Sequence, residues 1–443
     1  MKRTTIITLC LCGAACFAGE ARSQEVWSLD RCVEYALGHS TAVRRQIVET
    51  DNARLDRQTA LAGFLPKVSG NVSAQQSWGR NVDPETNTYN TITTFNNYYQ
   101  LEASVTLFDG GRTWAAYRQA LMSRRQQLNE LDRIHLDQRV EVMGKFVDAV
   151  YYNKVITLMA AKLDESRQLL AKTQRMEQLG MKSLPDVAQA EAQVAEDEYN
   201  LVHNRNLHAT ALMALKSAMN FPLTDSLRVD TSVALTGGTA DDAASVYASA
   251  AVHHPQAQSA YFAQQSAVYD YRKQRGSLFP KLSLGAGMAT NYYKNLTSGV
   301  TSASFGSQFH NNMGEYIYAS VSIPLFDFSL YSSVKRARNK MRTAAIDREE
   351  TLRKLHDNIF QAVTDRDDYA REMKQMERKV ESDSLAWHLS RRKYEEGMLS
   401  GFDLRTAANT LLDSRTKLLQ MQMMYAVKSR LVESYRGGGM AAK

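Results

Sequence analysis

Three short segments of the chain occur twice, in the same order and at nearly the same spacing. The recurring pairs are residues 63–69 and 277–283, 105–109 and 323–327, and 179–186 and 396–403. The copies are offset by about 214 to 218 positions, and collinear repetition of this kind indicates a duplicated structural unit. We therefore predict an internal duplication, with a first structural repeat at 24–236 and a second at 237–443.

Each repeat predicts the same series of elements: a helix, two strands, and a long helical hairpin. The predicted bounds are helices at 29–61 and 243–278, strand pairs at 67–108 and 281–326, and hairpins at 110–220 and 328–436. Residues 111–179 and 329–396 contain no proline, so each can form a continuous helix of roughly 100 Å at 1.5 Å per residue. A glycine turn and a returning helix follow each run, which favours long antiparallel hairpins with coiled-coil-like seams.

The predicted strands alternate between apolar and polar residues, which is typical of a sheet with one apolar face. The apolar positions include Val68, Val72, Leu101, Ala103, Leu284, Met288, Ile317 and Val321. Polar loops at 79–97 and 291–315 join the strands, and aromatic residues lie near the strand ends, as in the interfacial girdles of membrane barrels. A four-stranded sheet in a soluble domain, with these aromatics in its core, is the alternative.

Four strands cannot close a barrel, and open sheet edges in lipid leave backbone groups without hydrogen bonds. If the strands span a membrane, several chains must share one barrel, and three chains would supply twelve strands. The fold class we expect is a mixed α/β membrane protein of mainly long helical hairpins. Each chain would contribute four transmembrane β-strands to a shared, trimeric, 12-stranded β-barrel.

Residues 1–23 have the pattern of a signal peptide: Lys2 and Arg3, an apolar run, and a small-x-small cleavage site. A lipoprotein signal ending at Cys16 is the alternative. Three of the four cysteines lie in this leader, so the mature chain keeps only Cys32 and forms no internal disulfide.

The composition excludes several classes of function. The net charge of +7 comes from interleaved charges, 54 basic and 47 acidic, and no basic block predicts a nucleic-acid partner. The nine histidines are scattered, and no phosphate loop, zinc spacing or nucleophile motif is present, so we expect no enzyme activity, catalytic residue, metal or cofactor. The rival reading is an exported coiled-coil scaffold or binding protein without a pore.

The segment 27–37, together with the Leu-Pro-Lys and Leu-Phe-Asp signatures beside the strand pairs, resembles the TolC-type outer membrane factors. The resemblance covers essentially the whole mature chain. It implies a homotrimer with its barrel in the lipid of the outer membrane and a twelve-helix α-barrel in the periplasm. It also implies a periplasmic adaptor and an inner-membrane pump as partners, in efflux or type I secretion.

The resemblance also implies roles for residues at the two hairpin turns. Gly180 and Met181 at the first turn, and Gly397 and Met398 at the second, match the tips that dock the adaptor. The family places gate residues nearby, and the matching positions are Asp403, Asp186 and Tyr394.

A ring of three Asp403 carboxylates would attract cations, and Tyr394 with Asp186 would form a latch, meaning a hydrogen bond that holds the closed state. The sequence departs from the family pattern at Thr406, where some members have a second Asp, and at Leu399, where some have an Arg. The alternative role of Asp186 and Asp403 is a favourable helix N-terminal charge.

Overall fold

The computed structural model describes residues 26–83, 87–232, 241–297 and 301–437, so the predicted signal peptide and Cys16 lie outside the described residues. The elements of the first half are β1 (Val26–Trp27), α1 (Leu29–His39), α2 (Thr41–Ala62), β2 (Lys67–Asp83), β3 (Thr88–Phe108), α3 (Arg112–Gln178), α4 (Leu184–Met219) and β4 (Arg228–Val229). Those of the second half are α5 (Ala243–His253), α6 (Pro255–Gly276), β5 (Lys281–Asn295), α7 (Phe305–Asn311), β6 (Gly314–Ser322), α8 (Phe328–Glu395) and α9 (Gly401–Arg436).

The long hairpins lie within their predicted bounds. Helices α3 and α8 have 67 and 68 residues, and the returning helices α4 and α9 have 36 residues each. Uninterrupted runs without proline allow every backbone N–H after the first turn to bond four residues back. Within the described part of the chain, no helix combines the length and the apolar character needed to cross a membrane.

The helices that precede each strand pair are broken, whereas the sequence predicted one continuous helix in each place. Ser40 separates α1 from α2, and its hydroxyl accepts a hydrogen bond from the Val43 N–H at 3.4 Å, as an N-cap does. His254 and Pro255 separate α5 from α6, because proline at the first helical position cannot continue the preceding helix.

One four-stranded antiparallel sheet contains both predicted strand pairs, in the order β2-β3-β5-β6. Strands β2 and β6 form its two edges. The register places Leu101 between Gly70 and Met288, and Glu102 between Ser69 and Gly287, so each strand keeps its alternation in step with its neighbours.

The two faces of the sheet therefore differ in chemistry. The first, which we call the apolar face, exposes large aliphatic side chains to an unusual degree: Ile317 at 79%, Val72 at 70%, Val68 at 64% and Val321 at 60%. The second, the polar face, carries mainly Ser, Asn, Gln, Gly and Tyr at the paired positions. A soluble sheet normally covers its aliphatic face, whereas in this single chain the apolar face is left uncovered.

The strands end at different places from the predicted ones. Strand β6 ends at Ser322, not at 326, because Pro324 lacks the N–H needed to extend the ladder. The hairpin of strands β2 and β3 is longer than predicted, since most of the expected loop at 79–97 continues as strand. The expected loop at 291–315 contains α7, whose Phe305 and Phe309 contact the ring of Tyr99.

The chain divides into two compact units. Among the described residues, unit 1 comprises 26–36, 141–232 and 390–412, and unit 2 comprises 37–140, 241–389 and 413–437. The deeply buried side chains of unit 1 include Val142, Phe146, Val150, Leu215 and Met219. In unit 2, one cluster joins α5, α8 and α9 through Val246, Ala250, Leu355, Ile359 and Val432.

Candidate functional site at the hairpin tips

The first hairpin turns at Gly180, which adopts a left-handed conformation with φ of 73°. The Met181 N–H bonds to the Met176 carbonyl at 2.8 Å, and the Gly180 N–H bonds to the Glu177 carbonyl at 2.7 Å. These two bonds are a Schellman motif, which satisfies the last carbonyls of α3 and requires a residue that tolerates positive φ. Because nothing lies within 4 Å of the position a Cβ would take, backbone conformation alone selects glycine here.

The second hairpin turns in the same way at Gly397, where φ is 77°. The Met398 N–H bonds to the Lys393 carbonyl at 2.8 Å, and the Gly397 N–H bonds to the Tyr394 carbonyl at 3.0 Å. The glycines that the sequence singled out thus occupy equivalent positions in two equal turns.

Both tips present apolar side chains to solvent. At the first tip these are Leu179, Met181 and Leu184, which are 70%, 66% and 72% exposed. At the second tip they are Met398 and Phe402, which are 66% and 58% exposed. Clustered exposure of this kind makes the two tips candidates for a contact surface.

Asp186 and Asp403 both bond to the serine that precedes their helix. The Asp186 carboxylate accepts from the Ser183 hydroxyl at 2.7 Å and from the Ser183 N–H at 3.0 Å, and these hydrogen bonds, led by the N–H, hold its pKa below the usual range. The Asp403 carboxylate accepts from the Ser400 hydroxyl at 2.6 Å, and that hydroxyl accepts from the Asp403 N–H at 3.2 Å. Both carboxylates therefore stabilise a helix N-terminus, the alternative that the sequence left open.

Tyr394 is buried at the end of α8, and its hydroxyl is 3.1 Å from the hydroxyl of Thr173 on α3. The structure pairs Tyr394 with Thr173 and Asp186 with Ser183, and it does not bring Tyr394 and Asp186 into one hydrogen bond. The Lys182 ammonium of the first tip lies 4.7 Å from the centre of the Tyr394 ring, within range of a cation–π interaction.

A second contact joins α3 and α8 beside Tyr394. The Lys172 ammonium is 3.6 Å from the Glu395 carboxylate, and both side chains are partly exposed. Sequence reasoning missed Thr173, Lys172 and Lys182, because their partners lie more than 200 positions away along the chain.

A buried polar network lies further up the first hairpin, between α3 and α4. The Asp197 carboxylate is 2% exposed and lies 3.1 Å from the Lys162 ammonium. It also accepts hydrogen bonds from Ser166 at 2.5 Å and from Gln193 at 2.9 Å, and Lys162 further contacts Asn409 of α9. Only the i, i+4 spacing of Gln193 and Asp197 is visible in the sequence, and it does not indicate burial.

Cys32 is fully buried, and burial raises the pKa of its thiol to about 12. The thiol therefore acts as a small apolar group. Among the described residues, no three His, Cys, Asp or Glu side chains of this one chain form a group able to hold a metal ion.

Comparison with known proteins identifies the fold. Three similar solved structures are outer membrane protein VceC of Vibrio cholerae, CmeC outer membrane channel of Campylobacter jejuni, and MtrE outer membrane channel of Neisseria gonorrhoeae in its open state. VceC has a TM-score of 0.80 at 16% identity, covering 93% of this chain and 96% of its own. CmeC has a TM-score of 0.78 at 15% identity, and the match covers 94% of this chain and 87% of CmeC. MtrE has a TM-score of 0.75 at 17% identity, and the match covers 93% of this chain and 89% of MtrE.

At these identities the likeness is one of fold. A search of curated proteins finds no match. The sequence profile of the family described as outer membrane efflux protein matches residues 32–220 and 246–437, one stretch in each half of the chain. These stretches make up most of the chain, which therefore belongs to the outer membrane efflux protein family, whose members are outer-membrane channels.

Proposed function

We propose that three copies of this chain form the exit duct of a tripartite efflux or type I secretion system. The observation that carries the proposal is the four-stranded sheet, with its exposed apolar face and its two edge strands. In a shared barrel the apolar face contacts outer-membrane lipid, and the polar face lines a water-filled lumen. Edge β2 of one copy pairs with edge β6 of the next, so the backbone groups of both edges are satisfied.

The helical hairpins extend from this barrel into the periplasm and receive cargo from an inner-membrane pump through an adaptor. The length of α3 and α8, about 100 Å each at 1.5 Å per residue, supports this role. The tips at Gly180 and Met181, and at Gly397 and Met398, are the adaptor-docking surface. Their exposed apolar side chains supply the contact area that a partner hairpin needs.

Asp403, Asp186 and Tyr394 form the periplasmic gate in this proposal. In a trimer the exposed Asp403 repeats around the axis as three carboxylates, an arrangement that attracts cations. Tyr394 holds the second hairpin to the first through Thr173, so the closed state is held by a neutral hydrogen bond and the Lys182 contact. Asp186 acts through the helix end that it caps.

The test of the duct is the mass and shape of the protein extracted from membranes in detergent. We expect light scattering to give three chains, and negative-stain images to show rods with a detergent belt at one end. A monomer or dimer in the aqueous fraction, without a belt, would remove the shared barrel and leave an exported coiled-coil scaffold.

The gate is tested separately with Asp403→Asn, because asparagine keeps a hydrogen-bond acceptor for Ser400 and removes only the charge. We expect block of the channel current by multivalent cations added on the periplasmic side to be lost. Asp413→Asn, which neutralises an exposed carboxylate elsewhere on α9, is the matched control and should retain the block. Equal block in all three proteins would exclude Asp403 as the gate ring.

The latch is tested by leakage of a solute normally excluded by the closed channel. Tyr394→Phe removes the hydroxyl that meets Thr173, so leakage should rise. Asp186→Asn retains an acceptor for the Ser183 cap, so it should leak less than Tyr394→Phe. Equal leakage from the two variants would favour the predicted pair of Tyr394 with Asp186 over the pair with Thr173.

A further inference from the structure

Two glycines in the middle of the sheet face two tyrosines on the edge strand. Gly285 and Gly287 of β5 pair with Tyr318 and Tyr316 of β6, and all four residues lie on the polar face. The two tyrosine rings are nearly parallel, with centroids 6.2 Å apart and an interplanar angle of 25°.

The rings lie flat over these glycines because no side chain occupies the space. A Cβ at Gly285 would be 2.5 Å from atoms of the Tyr318 ring, and one at Gly287 would be 2.7 Å from the Tyr316 hydroxyl. A real Cβ essentially never lies this close to another atom, so any other residue at either position would displace a tyrosine. An aromatic ring packed over a strand glycine is a known device for stabilising a sheet at such a gap.

Both tyrosines cross β5 to reach Glu102 on β3. The Tyr318 hydroxyl donates to one carboxylate oxygen of Glu102 at 2.5 Å, and the Tyr316 hydroxyl donates to the other at 3.3 Å. The Gln100 amide donates to Glu102 at 3.0 Å and to the Tyr316 hydroxyl at 2.7 Å. Hydroxyl donors on both oxygens fix the position of the carboxylate.

Glu102 also lies apart from other acidic residues on the described polar face. Where all four strands pair, it is the one acidic residue among the described positions of the polar face. Lys67, one pair further along β2, is the nearest basic residue by register, and the neighbouring positions carry Ser, Asn, Gly and Tyr. Glu102 is therefore the one source of negative charge at this level of the described face.

We propose that Glu102 is a selectivity-determining residue of the channel, and that Tyr316 and Tyr318 are the positioning residues that hold its carboxylate against the wall. The inference rests on the proposed function, since only a shared barrel turns the polar face into a lumen. Three copies then form a ring of three carboxylates at one level, which favours small cations over anions. The flat tyrosine rings keep this level of the lumen wide.

Purified protein in planar bilayers under a potassium chloride gradient tests the charge. We expect the wild type to prefer cations. Glu102→Gln should lower the cation-to-anion permeability ratio by about twofold or more, because it removes three carboxylate charges, each of which acts on passing ions over the Debye length of roughly 10 Å. Glu315→Gln is the matched control, because Glu315 pairs with Met288 on the apolar face at nearly the same level. This variant should keep the wild-type ratio.

Gly285→Ala tests the positioning. Its methyl group must displace the Tyr318 ring into the lumen, so we expect a lower single-channel conductance than in the wild type. Gly314→Ala adds the same group on the same face with nothing within 4 Å, and it should conduct normally.

The outcomes separate this inference from the proposed function. A wild type that forms no conducting pore would overturn both. A conducting wild type whose ion preference is unchanged in Glu102→Gln, or changed equally in Glu315→Gln, would overturn only the role of Glu102. Equal conductance in Gly285→Ala and Gly314→Ala would overturn the positioning role of the tyrosines.

Discussion

Gly180 offers a direct test of how the backbone conformation of one residue affects the first turn. An alanine there must adopt positive φ, so Gly180→Ala should destabilise the first turn by about 1 kcal/mol. Gly144→Ala is the control, because Gly144 lies inside α3 with open space around it, and alanine in a helix interior should stabilise by roughly 0.5–1 kcal/mol. Amide hydrogen exchange at Met181 and Lys145 measures the two effects, and exchange that changes in the same direction at both sites would contradict the assignment.

The buried imidazole of His254 makes the stability of the protein depend on pH. It is 6% exposed, its Nδ1 accepts from the Gln256 N–H at 3.3 Å, and burial lowers the pKa of the imidazole to about 4. Between the ordinary pKa of 6.5 and this value the unfolded chain binds more protons, so stability is lost as pH falls through that window.

The expected loss between pH 7 and pH 5 is on the order of 2 kcal/mol, at about 1.4 kcal/mol for each unit of pKa difference. It is measured as the shift of the unfolding midpoint between the two pH values. His254→Asn keeps a good N-cap and removes the titration, so the variant should lose less stability over the same range. An unchanged pH dependence in the variant would assign the effect to other groups.

Helices α3 and α4 are joined by one buried and one exposed ion pair, so the contributions of the two kinds of pair to the stability of the hairpin can be compared. Asp197→Ala leaves the nearly buried Lys162 ammonium without its partner, so the expected cost is about 3–5 kcal/mol. Glu198→Ala breaks the neighbouring bridge to Arg167, whose side chains are 59% and 49% exposed, and should cost less than about 1 kcal/mol. Chemical unfolding followed by circular dichroism compares them, and similar midpoints for the two variants would show that the Asp197 network contributes little.

The sequence located the hairpins because a helix without proline and a turn glycine are local features, and both act through the backbone of the residues that carry them. It missed the break at Ser40, since the apolar spacing of α1 and α2 continues through it. It placed Tyr394 at the correct tip but gave it Asp186 as partner. The partner in the structure, Thr173, is 221 positions away, and a single sequence carries no signal for such a contact.

The strand pairs show the same limit. Alternation predicted both the presence of four strands and their apolar face, because period two is a property of each strand alone. The order β2-β3-β5-β6 and the register that sets Gly285 and Gly287 beneath two tyrosines depend on pairing between strands. The polar face was therefore predictable as a surface, whereas Glu102 and its tyrosine partners were not.

At the scale of the whole molecule, the two faces of the sheet predict opposite responses to the same substitution. Val72 is 70% exposed on the apolar face, and the adjacent Ser73 lies on the polar face opposite Tyr98. In a shared barrel Val72→Arg places a charge in lipid, which costs about 2–4 kcal/mol near the bilayer midplane and recurs in each of three subunits. Ser73→Arg places the same side chain in a water-filled lumen.

We therefore expect Val72→Arg to lower the amount of detergent-resistant trimer recovered from outer membranes, while Ser73→Arg assembles nearly as well as the wild type. The measurement is the ratio of trimer to monomer on gels run without heating, with total protein determined after heating. If the face now exposed were instead covered by a soluble partner, both variants would stay out of the membrane fraction, as would the wild type. If the faces were reversed, Ser73→Arg would be the variant that fails, because the charge that lipid excludes would then lie on the opposite side of the strand.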